Sequence, residues 1–194
     1  MPFFGETTFP ILDTERLKLR QLSSKDTKKL FEIWSDKQVT QYMNISPLST
    51  KSQALEMIDL LNSLAERNEA IRWGIELKKT GELIGTCGFN SINHANARAS
   101  IGYELEVAYW RKGYMSEVIH ALLGYGFQQC HFNRIEATVE PENTPSMLLL
   151  EKLGFHREGL LRGYEYAKER YIDLYMFSIL QNEYLLQNSQ DTCP

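Results

Sequence analysis

The chain has 194 residues, 43% of them hydrophobic and 24% charged, which fits a folded globular protein and excludes disordered and fibrous classes. Lys and Arg number 21 against 25 Asp and Glu, a net charge of −4, so there is no global positive field of the kind that binds nucleic acid. The sequence shows no secretion signal, no apolar stretch long enough to span a membrane and no C-x-x-C pair among its three cysteines. We therefore expect a cytoplasmic protein of one domain over residues 1–194, with its core at about 10–180 and no metal site.

The first half of the chain predicts two helices between strands. A strand is expected at residues 17–20, and Ser23 begins a helix that ends near Trp34. A second helix begins at Thr50, where a capping pattern precedes apolar residues at helical spacing. Alternating apolar residues then predict an antiparallel hairpin over 71–77 and 83–89, followed by a strand over 99–107.

The second half predicts further α/β alternation. A helix is expected from Tyr114 to about Phe127, and a strand follows at 135–139. A short helix comes next, with Thr144 as its cap and Gly154 closing it. Extended runs at about 154–165 and 171–180 and a polar, frayed tail over 187–194 complete the chain. These elements predict an α/β (α+β) fold with one mixed sheet and helices on its faces.

The segment Tyr109–Glu117 joins a strand to a helix through Gly113, which follows Arg111 and Lys112. The start of a helix offers unpaired N–H groups and the positive end of the helix dipole, so this segment is suited to bind a phosphate. It matches neither a Walker loop nor a G-x-G-x-x-G motif, which disfavours ATP and NAD. The alternative is a glycine that only permits a tight turn between solvated charges.

Several motifs in order along the chain resemble the GNAT acyltransferase superfamily, in its ribosomal-protein N-terminal acetyltransferase-like (RimJ/RimL-type) branch. The segment at 110–117, W-R-K-G-Y-M-S-E, resembles that branch's W-x-K-G-Y-[AM]-x-E motif. The opening T-E-R-L-K-L-R at 14–20 and the stretch V-E-P-E-N-T-P-S at 139–146 are similar to two more of its segments. The resemblance covers about residues 10–180.

The resemblance implies a mixed sheet splayed near its middle, with acetyl-CoA in the cleft between the strand ending near Val107 and the strand ending near Val139. Backbone groups of the first strand would pair with the pantetheine amides, the loop and helix start would hold the pyrophosphate, and Asn143 would bond the pantetheine arm. The implied cofactor-binding residues are Leu105, Glu106, Val107, Arg111, Lys112, Gly113, Tyr114, Met115, Ser116 and Asn143.

The resemblance also implies direct attack of an amine on the thioester within a ternary complex. Ser146 is the expected general acid, with the alternative that it only satisfies a backbone donor in the first turn of its helix. Glu165 is the first choice for the general base, and Glu104 and Glu140 are the other candidates. The alternative for Glu165 is a surface ion pair with Arg162 or Arg170. Cys87 and Cys130 are interpreted as core residues.

The acceptor implied first is a protein N-terminal α-amino group, in particular that of a ribosomal protein. A polyamine, an aminoglycoside or an amino-acid derivative is the alternative acceptor, since acceptor choice lies in loops such as 42–48 and 93–98. A third hypothesis is an acyl-CoA-binding sensor without turnover. A homodimer is compatible with each of these functions, whereas nucleic-acid and membrane partners are not expected.

Overall fold

A computed structural model describes residues 9–190 of the chain, and the strands within that range form one eight-stranded sheet. The strands in chain order are β1 (Leu12–Asp13), β2 (Leu17–Gln21), β3 (Ile71–Leu77), β4 (Leu83–Asn93), β5 (Arg98–Leu105), β6 (Arg134–Val139), β7 (His156–Ala167) and β8 (Arg170–Leu180). Their order across the sheet is β1-β2-β3-β4-β5-β6-β8-β7. The pair β5 and β6 is parallel and the other neighbours are antiparallel, so the predicted mixed sheet is confirmed.

The α-helices of the described residues are α1 (Thr27–Ser35), α2 (Lys51–Glu66), α3 (Tyr114–Gly124), α4 (Thr144–Lys152) and α5 (Gln181–Gln190). A π-helical turn, Tyr125–Gln129, extends α3. Capping boxes at Ser23 and Thr50 start the first two helical segments, as the sequence predicts. None of these helices is both long and apolar enough to cross a membrane.

Two groups of helices cover the sheet. A smaller apolar cluster joins α1 and α2 to the sheet through Leu30, Ile33 and Ile58. The larger core includes the inner face of α3 and the centre of the sheet, where Trp73 makes edge-to-face contacts with neighbouring rings. The helices therefore pack against a continuous apolar sheet, as the helical and alternating periods of the sequence require.

Two local expectations about the strand and helix ends beside the cleft were wrong. Strand β5 ends at Leu105, and a 3-10 turn, Val107–Tyr109, follows, so Val107 is not extended. The cap of α4 is Asn143 instead of Thr144, because the Asn143 side chain accepts a hydrogen bond from the Ser146 N–H.

The tail predicted to be frayed at 187–194 is helical as far as Gln190, and residues 191–194, with Cys193, lie outside the described part of the chain. Glu183 starts α5 by accepting a hydrogen bond from the Leu180 N–H at 2.8 Å. The ring of Tyr184 packs 5.0 Å from that of Phe127, between the ring centroids. This local hydrogen bond and the tertiary ring contact stabilise a helix whose sequence has no clear apolar period.

Candidate functional site

The sheet opens into a cleft between β5 and β6. The two strands pair over only Arg98–Ser100 and Arg134–Glu136. Beyond that point β5 continues beside β4, and β6 continues beside β8. The facing edges of residues 101–105 and 137–139 therefore lack a strand partner, and an extended ligand can occupy that position.

Part of the backbone after β5 is already bonded within the protein. The Leu105 carbonyl accepts from the indole Nε1 of Trp110 at 2.8 Å, and the Glu106 N–H donates to the Ile84 carbonyl at 2.8 Å. Val107 begins the 3-10 turn. Some backbone groups of the segment predicted to pair with pantetheine thus already have hydrogen-bond partners within the protein. The segment leads directly into the loop before α3.

The loop at 110–113 is shaped by two left-handed residues. Arg111 has φ 58° and Gly113 has φ 78°, a conformation that is costly for a residue with a side chain. Gly113 is the N-cap of α3, and no described side chain caps this helix start. The N–H groups of Tyr114, Met115 and Ser116 in the first turn therefore have no capping side chain among the described residues. The helix dipole also favours an anion beside them.

Ser146 and Tyr103 form a hydrogen-bonded pair across the cleft. Tyr103 lies on β5 and Ser146 lies in the first turn of α4, which follows β6. Their hydroxyl oxygens are 2.8 Å apart. Burial raises the pKa of Tyr103 to about 12, so the phenol stays protonated at neutral pH. The sequence alone does not identify Tyr103 as the partner of Ser146, because no local pattern indicates a contact between residues 43 positions apart.

Glu104 is buried in a network on the other face of the sheet. Its carboxylate accepts from the Trp34 indole at 3.0 Å and is also bonded by the Thr86 hydroxyl and the Arg72 guanidinium. Successive side chains of a strand point to opposite faces, so Glu104 is directed away from the side that Tyr103 occupies. These donors come from α1, β3 and β4, and the arrangement holds those elements together.

Glu140 lies between β6 and α4, close to the start of the helix that carries Ser146. Its side chain is 11% exposed and lies 3.8 Å from Arg170, measured between carboxylate oxygen and guanidinium nitrogen. Burial raises the pKa of the Glu140 carboxyl above its usual range. A carboxylate with a raised pKa is suited to take up a proton near neutral pH.

Glu165 shares the neighbourhood of Glu140, and the amide of Asn44 donates to its carboxylate. The ammonium of Lys168 donates to the Thr40 and Gln41 carbonyls at 2.8 and 2.6 Å. The charges that act on Glu140 are those of Lys168, Arg170, Glu142 and Glu165. We name this group, including Glu140, the acceptor-side cluster.

The described cysteines lie apart from the cleft chemistry. Cys87 is fully buried on β4, and Cys130 is buried after the π-helical turn. Burial raises the pKa of both thiols, which disfavours the reactive thiolate. Over residues 9–190, no group of three or more His, Cys, Asp and Glu side chains is placed to hold a metal ion.

Comparisons with known proteins cover nearly the whole chain. A family model described as an acetyltransferase (GNAT) domain matches residues 16–156. The uncharacterised N-acetyltransferase p20 of Bacillus licheniformis is 53% identical, covering 89% of this chain and 97% of that protein. YdaF of Bacillus subtilis, provisionally named a ribosomal N-acetyltransferase, is 26% identical, covering 88% of this chain and 94% of that protein. The solved spermidine N-acetyltransferase of Vibrio cholerae, in complex with CoA and spermine, has a TM-score of 0.76 at 26% identity, covering 88% of this chain and 98% of its own.

Proposed function

Since the chain belongs to the GNAT acetyltransferase family and is therefore an N-acetyltransferase that uses acetyl-CoA, we propose that its acceptor is a protein N-terminal α-amino group, such as that of a ribosomal protein. The name of YdaF supports a ribosomal acceptor. The observation that carries the proposal is the charge balance of the acceptor-side cluster. Its three carboxylates face two cations, which leaves one negative charge. That balance suits a single amine on a peptide better than a polyamine with several positive charges.

The cleft and the loop fit the acetyl-CoA donor. The unpaired edges of β5 and β6 are suited to the amides of pantetheine, and the uncapped start of α3 is suited to the pyrophosphate. Leu105, Glu106 and Val107 line the strand side of this site. Asn143 would hold the pantetheine arm from the α4 side while it also caps that helix.

The transfer requires two proton movements. The amine nitrogen bonds to the acetyl carbonyl carbon while the carbon–sulfur bond breaks, and the thiolate that leaves takes up a proton. Ser146 supplies that proton and regains one from solvent water after the thiol leaves. Because Tyr103 stays protonated, its phenol is able to donate to the Ser146 oxygen, which leaves the serine proton free to point into the cleft.

The proton lost by the amine goes to the acceptor-side cluster. We assign the base role to Glu165, whose carboxylate is oriented by the Asn44 amide. Glu140 is the second candidate, because burial raises its pKa. Glu104 is assigned a structural role, since three donors already occupy its carboxylate.

A polyamine acceptor is the second candidate function. The similarity to the spermidine N-acetyltransferase of Vibrio cholerae favours it, since that protein is 26% identical to this chain. The two candidates share the donor site and differ in the charge that the acceptor side must compensate.

An acceptor panel tests the proposal. Thiol release from acetyl-CoA is measured with peptides that have free N-termini, with the same peptides blocked at the N-terminus, and with spermidine. The proposal predicts the highest kcat/KM for the free peptides and background rates for the blocked ones. Faster turnover of spermidine than of every free peptide would establish the second candidate instead.

A further inference from the structure

Two motif residues that the proposed chemistry does not use meet in space. Arg16 directly precedes β2, and Glu117 is the last residue of the motif that begins at Trp110. Arg16 Nε lies 2.7 Å from one carboxylate oxygen of Glu117, and the Arg16 backbone N–H donates to the other at 2.8 Å. The Thr14 hydroxyl donates to the same carboxylate. The two residues are 101 positions apart, so this contact fastens the segment before β2 onto α3.

The same arginine also touches the loop before α3. Its Nη1 donates to the Lys112 carbonyl at 3.0 Å, and its guanidinium carbon lies 4.5 Å from the centroid of the Tyr114 ring. A Cβ added at Gly113 would lie 3.4 Å from Arg16 Nη2. Arg16 therefore covers the loop on both sides of Gly113.

This contact lies where the backbone needs support. The loop contains two left-handed residues, Arg111 and Gly113, and such conformations persist only where the surroundings hold them. A hydrogen bond to the Lys112 carbonyl fixes the peptide between those two residues. Fixing the loop before a ligand binds lowers the ordering cost of binding.

We propose that Arg16 and Glu117 form a clamp that holds loop 110–113 in its anion-binding shape, so that Arg16 is a positioning residue for the pyrophosphate of acetyl-CoA. The inference rests on the proposed placement of acetyl-CoA at this loop. The Arg16 charge is already balanced by the Glu117 carboxylate, and its Nε and Nη1 atoms donate to Glu117 and to the Lys112 carbonyl. The clamp thus contributes shape to the site, whereas the α3 amides contribute the attraction for the anion.

The test compares two acetyl donors. S-acetylpantetheine lacks the pyrophosphate, so its kcat/KM is independent of the loop, whereas that of acetyl-CoA depends on it. Arg16→Ala, Glu117→Ala and the double variant are each expected to raise the KM for acetyl-CoA about 10-fold with little change in kcat, within the usual range of couplings between contacting residues. The double variant is expected to be no worse than either single variant, because each change opens the same clamp. S-acetylpantetheine turnover is expected to stay unchanged in all three.

Two further variants control for folding and for charge. Lys78→Ala removes contacts with Asp13 and the Thr14 carbonyl on the same segment without touching the loop, and it is expected to leave both donors unaffected. Arg16→Lys keeps the charge but not the fork of donors, so it is expected to recover only part of the loss.

Three results would overturn the clamp. Unchanged KM for acetyl-CoA in Arg16→Ala would show that the loop needs no support. Tighter acetyl-CoA binding in Glu117→Ala would show that Arg16 binds phosphate directly and that Glu117 only competes for it. An equal loss with both donors would show a general disturbance. If the unaltered protein uses acetyl-CoA and S-acetylpantetheine equally well, the proposed placement of acetyl-CoA at loop 110–113 is wrong. This result is separate from the three that overturn the clamp alone.

Discussion

The hydroxyl groups of Ser146 and Tyr103 are expected to control the rate of acetyl transfer. Ser146→Ala removes the proton donor for the leaving thiolate, and loss of a positioned acid typically lowers kcat by about 10²–10⁴-fold. Tyr103→Phe leaves Ser146 in place but removes its partner at 2.8 Å, so a smaller loss of kcat is expected. The dissociation constant for acetyl-CoA is expected to stay constant in both variants.

Steady-state kinetics and calorimetry check this prediction. Tyr171→Phe is the matched control, because Tyr171 is 72% exposed on the β7–β8 hairpin and its hydroxyl is expected to be silent. Full kcat in Ser146→Ala would contradict the acid role and leave Ser146 as a residue of the first turn of α4 only.

The two acceptor-side carboxylates are separated by the pH dependence of kcat/KM. A base must be deprotonated, so activity falls at low pH as the base gains its proton. Glu165→Gln is expected to lower turnover and to remove this low-pH limb, whereas Glu140→Gln keeps the limb. If Glu140 is the base instead, only Glu140→Gln removes the low-pH limb. That limb then lies above the pH at which an ordinary glutamate titrates, because burial raises the pKa of Glu140.

The profile is measured in all three forms of the enzyme with one peptide acceptor. Glu151→Gln, an exposed position on α4, is the control for loss of a glutamate charge. Retention of the limb in both Glu165→Gln and Glu140→Gln would exclude the cluster as the proton acceptor.

The sequence predicts the local part of this site and misses the contacts across it. Gly113 and the charges before it predict an anion-binding loop, since the residues that form the pattern are consecutive. The partners of Glu104 come from three other elements, with Trp34 lying 70 positions away. No spacing rule predicts such a network. The sequence therefore predicts Glu104 in the cleft, whereas its side chain lies on the face of the sheet opposite Tyr103.

At the scale of elements, the start of α4 combines a structural and a functional task. Asn143 caps the helix with a hydrogen bond of 3.3 Å to the Ser146 N–H, and the same helix turn aims the Ser146 hydroxyl. Asn143→Ala is expected to destabilise the protein by about 1 kcal/mol, as is typical for loss of a cap. It is also expected to lower kcat, because a frayed first turn no longer holds Ser146 beside Tyr103.

Urea unfolding and kinetics of Asn143→Ala and Asn143→Asp check this prediction. Aspartate is an equally good cap but does not donate a hydrogen bond to a ligand. Both variants are expected to raise the KM for acetyl-CoA, whereas only Asn143→Asp is expected to keep the stability of the unaltered protein. A wild-type KM in Asn143→Asp would show that the residue has no role in binding the donor.

Elements with a strong local period agree with the sequence, and those stabilised by tertiary contacts do not. The β3–β4 hairpin and α3 match their predicted positions because their apolar residues repeat at the strand and helix periods. Helix α5 was missed because contacts with the end of α3 stabilise it. The alternation of the sequence predicts that β5 ends at Val107, two residues later than it does, because Glu106 and Val107 continue the pattern while the backbone already turns.

At the scale of the whole molecule, the cleft depends on where the single parallel pair of the sheet separates. Strands β5 and β6 separate after three paired residues. Helix α3 follows β5 and helix α4 follows β6, and the start of each helix faces the cleft. The parallel arrangement is what brings both helix starts to the same edge. The separation of β5 from β6 thus positions both loop 110–113 and Ser146. The sequence implies this separation only through the family resemblance.

The placement of acetyl-CoA at loop 110–113 is tested by measuring, with calorimetry, the affinity of Gly113→Val and Gly81→Val for acetyl-CoA. Both glycines have left-handed backbones, with φ 78° and 72°, so the two substitutions impose similar strain. Gly81 lies in the β3–β4 turn with open space around it, whereas Gly113 is the N-cap of α3. Gly113→Val is expected to weaken binding about 10-fold or more, equivalent to losing a charge-assisted hydrogen bond, while Gly81→Val is expected to bind normally. Normal affinity in a folded Gly113→Val protein would contradict the placement of acetyl-CoA at this loop.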